Sequence, residues 1–344
     1  MKRTAKIILS IALSLIGIGI ILVTIGYVFG ADTGLVWEND RFVTVGKQNE
    51  EKQVVKDLDL EAFQNLMIDT SLADVQVKEA DSYGVEIIYY HENQRIDYTL
   101  EDRSLKIESA AQNSPFQLQI GFLGNRTASV IVSVPKGTKL DQLSVQNDCG
   151  DTRLENLTAG EISLYAGLGN TELSGVTAEK LELDNNSGEA AIEKSEIQVL
   201  SCDMDLGDLT LTSVSGRRVE SMICNAGDIE LEDCSWSEGI LSLQNDLGDI
   251  TAESLTVHGL TLKSAAGSVE LAGSITGKIQ AEVDLGDAQF SITGKRSDYQ
   301  LSLDTDLGDI SVDGDKFQEV QNNGENQMEI KADCGDIDIE FTES

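Results

Sequence analysis

The sequence predicts an all-β fold: a β-solenoid of about ten coils of 19–22 residues, preceded by a single transmembrane helix and a hairpin-rich N-terminal cap. Three observations predict it. Beyond Phe29 the apolar residues fall in short alternating runs of three or four, the pattern of half-buried strands, and no long amphipathic helix follows. A four-residue unit, Asp/Asn-x-Gly-Asp-like, recurs from Asp148 to Asp336 with an apolar strand on each side. Its glycines are Gly150, Gly169, Gly188, Gly207, Gly227, Gly248, Gly267, Gly286, Gly308 and Gly335, a period that signals stacked coils.

From the N-terminus, residues 1–6 carry Lys2, Arg3 and Lys6, and Ile7 to Phe29 is an uncharged apolar run long enough to cross a ~30 Å hydrocarbon core. Basic residues before the run and Asp32, Glu38 and Asp40 after it place residues 1–6 in the cytoplasm and the rest outside the cell. A cleaved signal peptide is the competing reading, but its apolar region usually runs only ~7–15 residues. Residues 30–60 are charged and weakly periodic and read as an extracellular spacer.

Residues 61–140 form the irregular β beginning of the solenoid. Leu66, Ile68, Ala73-Asp74, Val75 and Val77 repeat the coil pattern with alanine in place of glycine. The strand-like runs Val85–Tyr90, Ile96–Leu100, Leu105–Glu108 and Ser129–Val134 read as inserted hairpins that cap the stack. Residues 141–344 are the regular repeats. Because strand neighbours alternate faces, the inward positions lie seven and five residues before the glycine (Ile162 and Leu164, Leu301 and Leu303) and two and four after it (Leu209 and Leu211, Ile310 and Val312). A third falls about seven after, as at Leu157, Val176, Val214, Cys234 and Leu255. The 27-residue interval after Gly308 holds a polar loop, Gln321 to Asn326, before a final coil whose acidic tail protects the exposed edge.

The segment Pro135-Lys-Gly-Thr-Lys-Leu-Asp-Gln-Leu143, leading into the Gly-Asp repeats, resembles bacterial β-strand-repeat proteins catalogued as candidate adhesins, a group that includes LiaG-like envelope proteins. The resemblance covers about residues 60–344. It implies a membrane-anchored envelope protein of Gram-positive type and brings no catalytic residues with it.

The chemistry is thin. The formal charge of −35 repels nucleic acid. The two histidines, His91 and His258, lie far apart in sequence and form no metal-type spacing. Sixty acids guarantee carboxylate pairs, yet aromatics make up 5% of the chain and basic doublets such as Arg217-Arg218 are rare in the regular coils, a poor match to polysaccharide-cleaving β-helices. No enzyme activity and no cofactor are expected. Cys149, Cys202, Cys224, Cys234 and Cys334 are odd in number and irregular in spacing, and read as free thiols.

Acids flank the corner glycines at Asp205/Asp208, Asp246/Asp249, Asp284/Asp287 and Asp306/Asp309, and both members should point outward. They are the candidate metal ligands, and a weak one, because calcium needs six to eight oxygens and the nine-residue calcium-binding repeat is absent. The motif is expected to be a structural turn with at most weak divalent cation binding. Two functions remain open. One is a non-catalytic envelope interaction or scaffold module contacting a wall polymer or membrane protein; the other is an accessory of envelope-stress sensing that binds cationic ligands or a membrane partner.

Overall fold

The computed structural model describes residues 35–38, 41–44, 52–90, 94–110, 119–120, 127–318 and 324–342. The expected transmembrane helix at 7–29 lies outside the described residues, as does His91. Among the described residues no helix is long and apolar enough to cross a membrane.

The described chain is a β-solenoid whose strands pair in parallel from coil to coil. A typical coil runs from Gly169 through the strand Thr171–Ser174, turns at Gly175, and continues through Thr177–Asn185 to the next corner glycine. Its residues pair with those one period away, Leu173 with Ile192 and Leu181 with Leu200. Like side chains therefore stack on like, and the inward rows form one continuous apolar column. Ile162, Leu164, Leu209, Leu211, Leu157, Val176, Val214, Cys234 and Leu255 are all buried in it, as their positions relative to the glycine predict.

A second corner lies six residues after the glycine. Asn156, Lys194, Ser213, Asp233 and Ser254 occupy it with φ between 48° and 57°, the left-handed conformation that costs a side-chain-bearing residue about 1–2 kcal/mol. The residue types at this position vary so widely that no motif betrays it.

The order of coils in space differs from their order in the chain at both ends. Near the N-terminus, Ser104–Ser109 pairs in parallel with Asn65–Thr70, and Ala128–Pro135 with Ala73–Ala80. These two strands make an additional coil outside the Ala73 coil, which is itself stacked on the Gly150 coil through Val75↔Thr152. The runs expected to be capping hairpins are thus partly a parallel coil. The antiparallel cap consists of Ile96–Glu101 on Ser104–Ser109, Gly84–Tyr89 on Ala128–Pro135, and Gln53–Asp57 on Gly84–Tyr89. Residues 30–60 are correspondingly not all spacer: Gln53–Asp57 belongs to this cap, and Leu35–Glu38 pairs with Arg41–Thr44 and Gln119–Ile120.

At the other end Asn326–Cys334 pairs on one side with Ala266's neighbour strand Val269–Leu285 and on the other with Tyr299–Leu307. The last coil in sequence is therefore inserted between the Gly286 and Gly308 coils, and the Gly308 coil is the end of the rod. This corrects the expectation that the final coil protects the edge. It also explains why Leu301, Leu303 and Ile310, inward by position, are only half-buried: they face the last layer of the column. Phe317 packs against the same core, and the short antiparallel pair of Ile310–Val312 with Asp315–Lys316 interrupts parallel growth. Tyr299, buried beside Phe341 with ring centroids 5.1 Å apart, ties the end down by donating its hydroxyl proton to the Ile275 carbonyl at 2.9 Å.

Coils can stack this closely only if the corner residue lacks a side chain. At Gly207 φ is 128°, and a Cβ would lie 2.2 Å from the Gly188 carbonyl oxygen. Gly207→Ala is expected to lower the unfolding free energy by about 3 kcal/mol or more, since backbone must move to relieve the clash. Gly137→Ala, at another positive φ but with nothing within 4 Å, should cost about 1 kcal/mol. Thermal or urea unfolding of the two variants side by side checks the difference.

Candidate functional site at the acidic corner

The corner strip is built from four positions per coil. Three residues before the glycine the side chain points inward, and in several coils it is polar: Asn147, Asn185, Asn245 and Ser264 are buried. Their role is visible in the hydrogen bonds. The Asn147 amide donates to the Gly150 and Ala73 carbonyls at 2.9 and 3.0 Å, the Asn185 amide to the Gly188 carbonyl at 3.2 Å, and the Ser264 hydroxyl to the Gly267 carbonyl at 3.2 Å. A tight corner turns its carbonyl away from the strand ladder, and an inward donor satisfies it. Cys224 fills the same row and its thiol reaches the Gly207 carbonyl at 3.4 Å.

The two acids around each glycine both point outward, as expected, but they are not equivalent. The residue just after the glycine is a staple between coils: the Asp228 carboxylate accepts the Asp249 backbone N–H at 2.8 Å, Asp208 accepts that of Asp228 at 2.9 Å, and Asp249 that of Ser268 at 2.7 Å. The row crosses the inserted coil without a break, with Asp287 accepting from Asp336 at 2.9 Å and Asp336 from Asp309 at 2.7 Å. Asn170 stands in this row too, its side-chain oxygen accepting the Glu189 N–H at 3.0 Å. Ser268 does the same with its hydroxyl, accepting the Asp287 N–H at 3.4 Å, so an acceptor oxygen is what the position needs and a charge is not. The acids two residues before the glycine, Asp205, Asp246, Asp284 and Asp306, have no such backbone role, and Asp205 instead accepts from the Asn225 amide at 2.8 Å.

Beside this row Asp184 sits near Asp203 and Asp205. Its carboxyl is held above the usual range, first by partial burial and then by the charges of those two neighbours. Among the described residues no group of three or more His, Cys, Asp or Glu is placed to hold a metal ion.

The remaining nucleophiles are quiet. His258 is exposed on a strand, its ring Nδ1 3.1 Å from the Thr276 hydroxyl. All five cysteines are free. Burial pushes the Cys202 thiol up to about 12, and it pushes those of Cys224 and Cys234 up to about 11. Cys149 is raised by burial and by the surrounding Asp74, Asp148 and Asp151. None of these four is set up as a thiolate. A shallow groove on another edge, lined by Lys139, Glu179, Glu196 and Arg217, mixes both signs of charge and is bridged by Lys139 and Glu179 at 3.3 Å.

One feature of the corner escaped the sequence motif, where it was only the variable "x". The residue just before the glycine points out from the tip, and there Leu168, Leu206, Leu247, Leu285 and Leu307 are 56–69% exposed.

Three outcomes follow from the acids. Asp228→Ala should cost about 1–2 kcal/mol because it leaves the Asp249 N–H without its partner, Asp228→Asn should recover most of that, and Asp284→Ala should stay within about 0.5 kcal/mol. Melting in chelator and in millimolar calcium should differ no more than sodium at equal ionic strength explains. Asp184→Asn should raise the melting temperature at pH 7. A carboxyl raised in the folded state loses stability as pH climbs from its unfolded to its folded value, so the gain should vanish when the comparison is repeated well below pH 4.

Three crystal structures are similar to this chain at low identity. A candidate adhesin of Bacteroides fragilis is 13% identical, with 85% of this chain and 98% of that one covered at a TM-score of 0.36. A candidate adhesin of Parabacteroides merdae is 13% identical over 70% of this chain and 94% of its own, at 0.41. A candidate lipid-binding protein of Parabacteroides distasonis is 14% identical over 86% and 98%, at 0.40. No curated protein matches the chain. The Toastrack DUF4097 family matches residues 63–340, nearly the whole of the solenoid and its cap, and the chain belongs to that family.

Proposed function

We propose that this protein is a non-catalytic, adhesin-like interaction or scaffold module of the cell envelope, held by the apolar run at 7–29 with its solenoid outside the cell. The observation that carries the reading is the periodicity of the lateral surface. Each coil repeats the same outward rows at the strand spacing of ~4.8 Å, so a contact made by one coil is offered again by its neighbours. Such a surface suits an extended or repetitive partner, such as a wall polymer or a long segment of a membrane protein, better than a small substrate. Charge sets the sign of the partner: 60 acidic against 25 basic residues favour neutral or cationic groups.

The orientation is checked by labelling intact cells with a membrane-impermeant lysine reagent, which should modify the solenoid lysines without lysis. Photo-crosslinkers placed at outward positions such as Ser163 and Thr210 of the full chain should then trap the same partner from several coils in living cells. Labelling only after lysis, or crosslinks no stronger than those of an unrelated envelope protein, would sink the reading.

A further inference from the structure

The exposed leucines at the corner tip are ordered in a way that the chain sequence conceals. Backbone hydrogen bonds at the corners give the order of coils: Gly150 N–H to Leu168, Gly169 to Ser187, Gly188 to Leu206, Gly207 to Ala226, Gly227 to Leu247, Gly248 to Ala266, Gly267 to Leu285, Gly286 to Cys334 and Gly335 to Leu307. Leu72 precedes this series in the Ala73 coil, whose Ala73 N–H bonds to the Cys149 carbonyl. Along the rod the tip therefore reads Leu72, Cys149, Leu168, Ser187, Leu206, Ala226, Leu247, Ala266, Leu285, Cys334, Leu307. A leucine occupies every second coil, and a small residue lies between each pair.

The result is a ridge about 50 Å long, with knobs spaced at twice the strand separation, ~10 Å, and a gap between successive knobs. On one side run Asp148, Asp205, Asp246, Asp284, Asp333 and Asp306. On the other are the staple acids Asp151, Asp208, Asp228, Asp249, Asp287, Asp336 and Asp309. Neither row holds a lysine or arginine. An exposed apolar strip of this length rimmed by charge is the signature of a contact surface.

We infer that this ridge docks a cationic amphipathic helix. The inference rests on the interaction-module reading above and names its surface and the chemistry of its partner. Seven residues of helix advance ~10.5 Å, and a helix laid across the ridge at the ~20° crossing angle of ridge-into-groove packing projects close to the knob spacing. One apolar residue per two turns then enters each gap. Basic residues flanking the apolar stripe of the helix meet carboxylates on both sides. A second copy of this chain matches the spacing as well, but it would press four rows of carboxylates together with no cation between them. An anionic membrane surface meets the same repulsion.

The test uses the full chain held in nanodiscs of phosphatidylcholine, with empty discs as the blank. The probe is a labelled helical Leu/Lys peptide of three heptads; its controls are a Leu/Lys peptide of the same composition with strict alternation and a Leu/Glu helix. The Leu/Lys helix should bind best. Substituting Leu168→Ser, Leu206→Ser, Leu247→Ser and Leu285→Ser together should weaken it tenfold or more with circular dichroism and melting temperature unchanged, since these side chains point into solvent. Asp205→Asn, Asp246→Asn and Asp284→Asn together should flatten its salt dependence.

Equal affinity for the four-leucine variant would reduce the binding to charge alone and overturn the inference. So would leucine-dependent dimers of the wild-type chain in sedimentation, or leucine-dependent capture of phosphatidylglycerol vesicles in preference to the peptide. If the peptide fails while crosslinks from other outward rows still trap a partner in cells, the module survives and the ridge proposal falls; if both fail, both fall.

Discussion

The whole rod depends on one close approach. At the corners the carbonyl oxygen of one corner residue, Ala73 under Gly150 and a glycine in the coils that follow, lies where the next coil would carry a Cβ, about 2 Å from that position at Gly169, Gly188 and Gly227 alike. That contact brings the coils to strand spacing at the point where the chain changes direction most sharply, and so sets the register of both flanking strands. The inward apolar rows line up because the register holds. The outward staple acids line up too, since a carboxylate can reach the next coil's N–H only when the corners are superposed. Buried polar residues are a consequence of the same geometry: a corner carbonyl directed away from the ladder needs an inward donor, and Asn147, Asn185 and Ser264 supply one.

A stack of parallel coils has two ends, and each end is an open sheet edge with an uncovered core. Both are closed here by exchanging the order of coils. The chain enters in the second layer, builds the outermost coil afterwards, and returns beneath it; at the far end it builds the outermost coil and then threads its last strands between that coil and the previous one. Each terminal coil is thereby pinned by chain on both sides of it in sequence, and unpeeling it requires moving more than a free end. Antiparallel strands then finish the edges, since they cannot template another parallel coil.

Much of this was legible in the sequence, because a fixed period converts a one-dimensional pattern into rows. Leu181, Leu183, Leu231 and Leu271 could be assigned inward from their distance to a glycine, without any structure. What the period could not carry was anything that departs from it. The strands Ser104–Ser109 and Ala128–Pro135 of one coil are separated by an interval far from the regular coil spacing, so they read as hairpins. The insertion of the last coil left only a long interval after Gly308, which loops of many kinds produce. The inward asparagines lie one residue outside the four-residue motif, in a row that other coils fill with Ala166, Met204, Cys224 or Val283, so the period did not mark them. And the paired acids that flank the glycine in sequence divide in space into a structural row and a solvent-facing one, a distinction that belongs to the direction of a backbone N–H in the neighbouring coil.

The alternation of leucine with small residues at the corner tip supplies an independent argument for the exchanged order of coils. In chain order the last three tip residues are Leu285, Leu307 and Cys334, which places two leucines side by side and breaks the rule that holds from Leu72 to Leu285. In spatial order they are Leu285, Cys334 and Leu307, and the rule is kept to the end of the rod. A residue at the tip touches the tips of adjacent coils and little else, so its size is constrained by its neighbours in space. Leucines on adjacent tips would merge into one continuous apolar strip, as they do in the core, whereas a small residue between them leaves each knob separate. The sequence thus carries, in its one freely variable motif position, a record of which coil lies next to which. That record agrees with the topology drawn from backbone pairing. The ridge is accordingly a property of the assembled stack: no stretch of the chain contains it, and threading the final coil into place is what completes it.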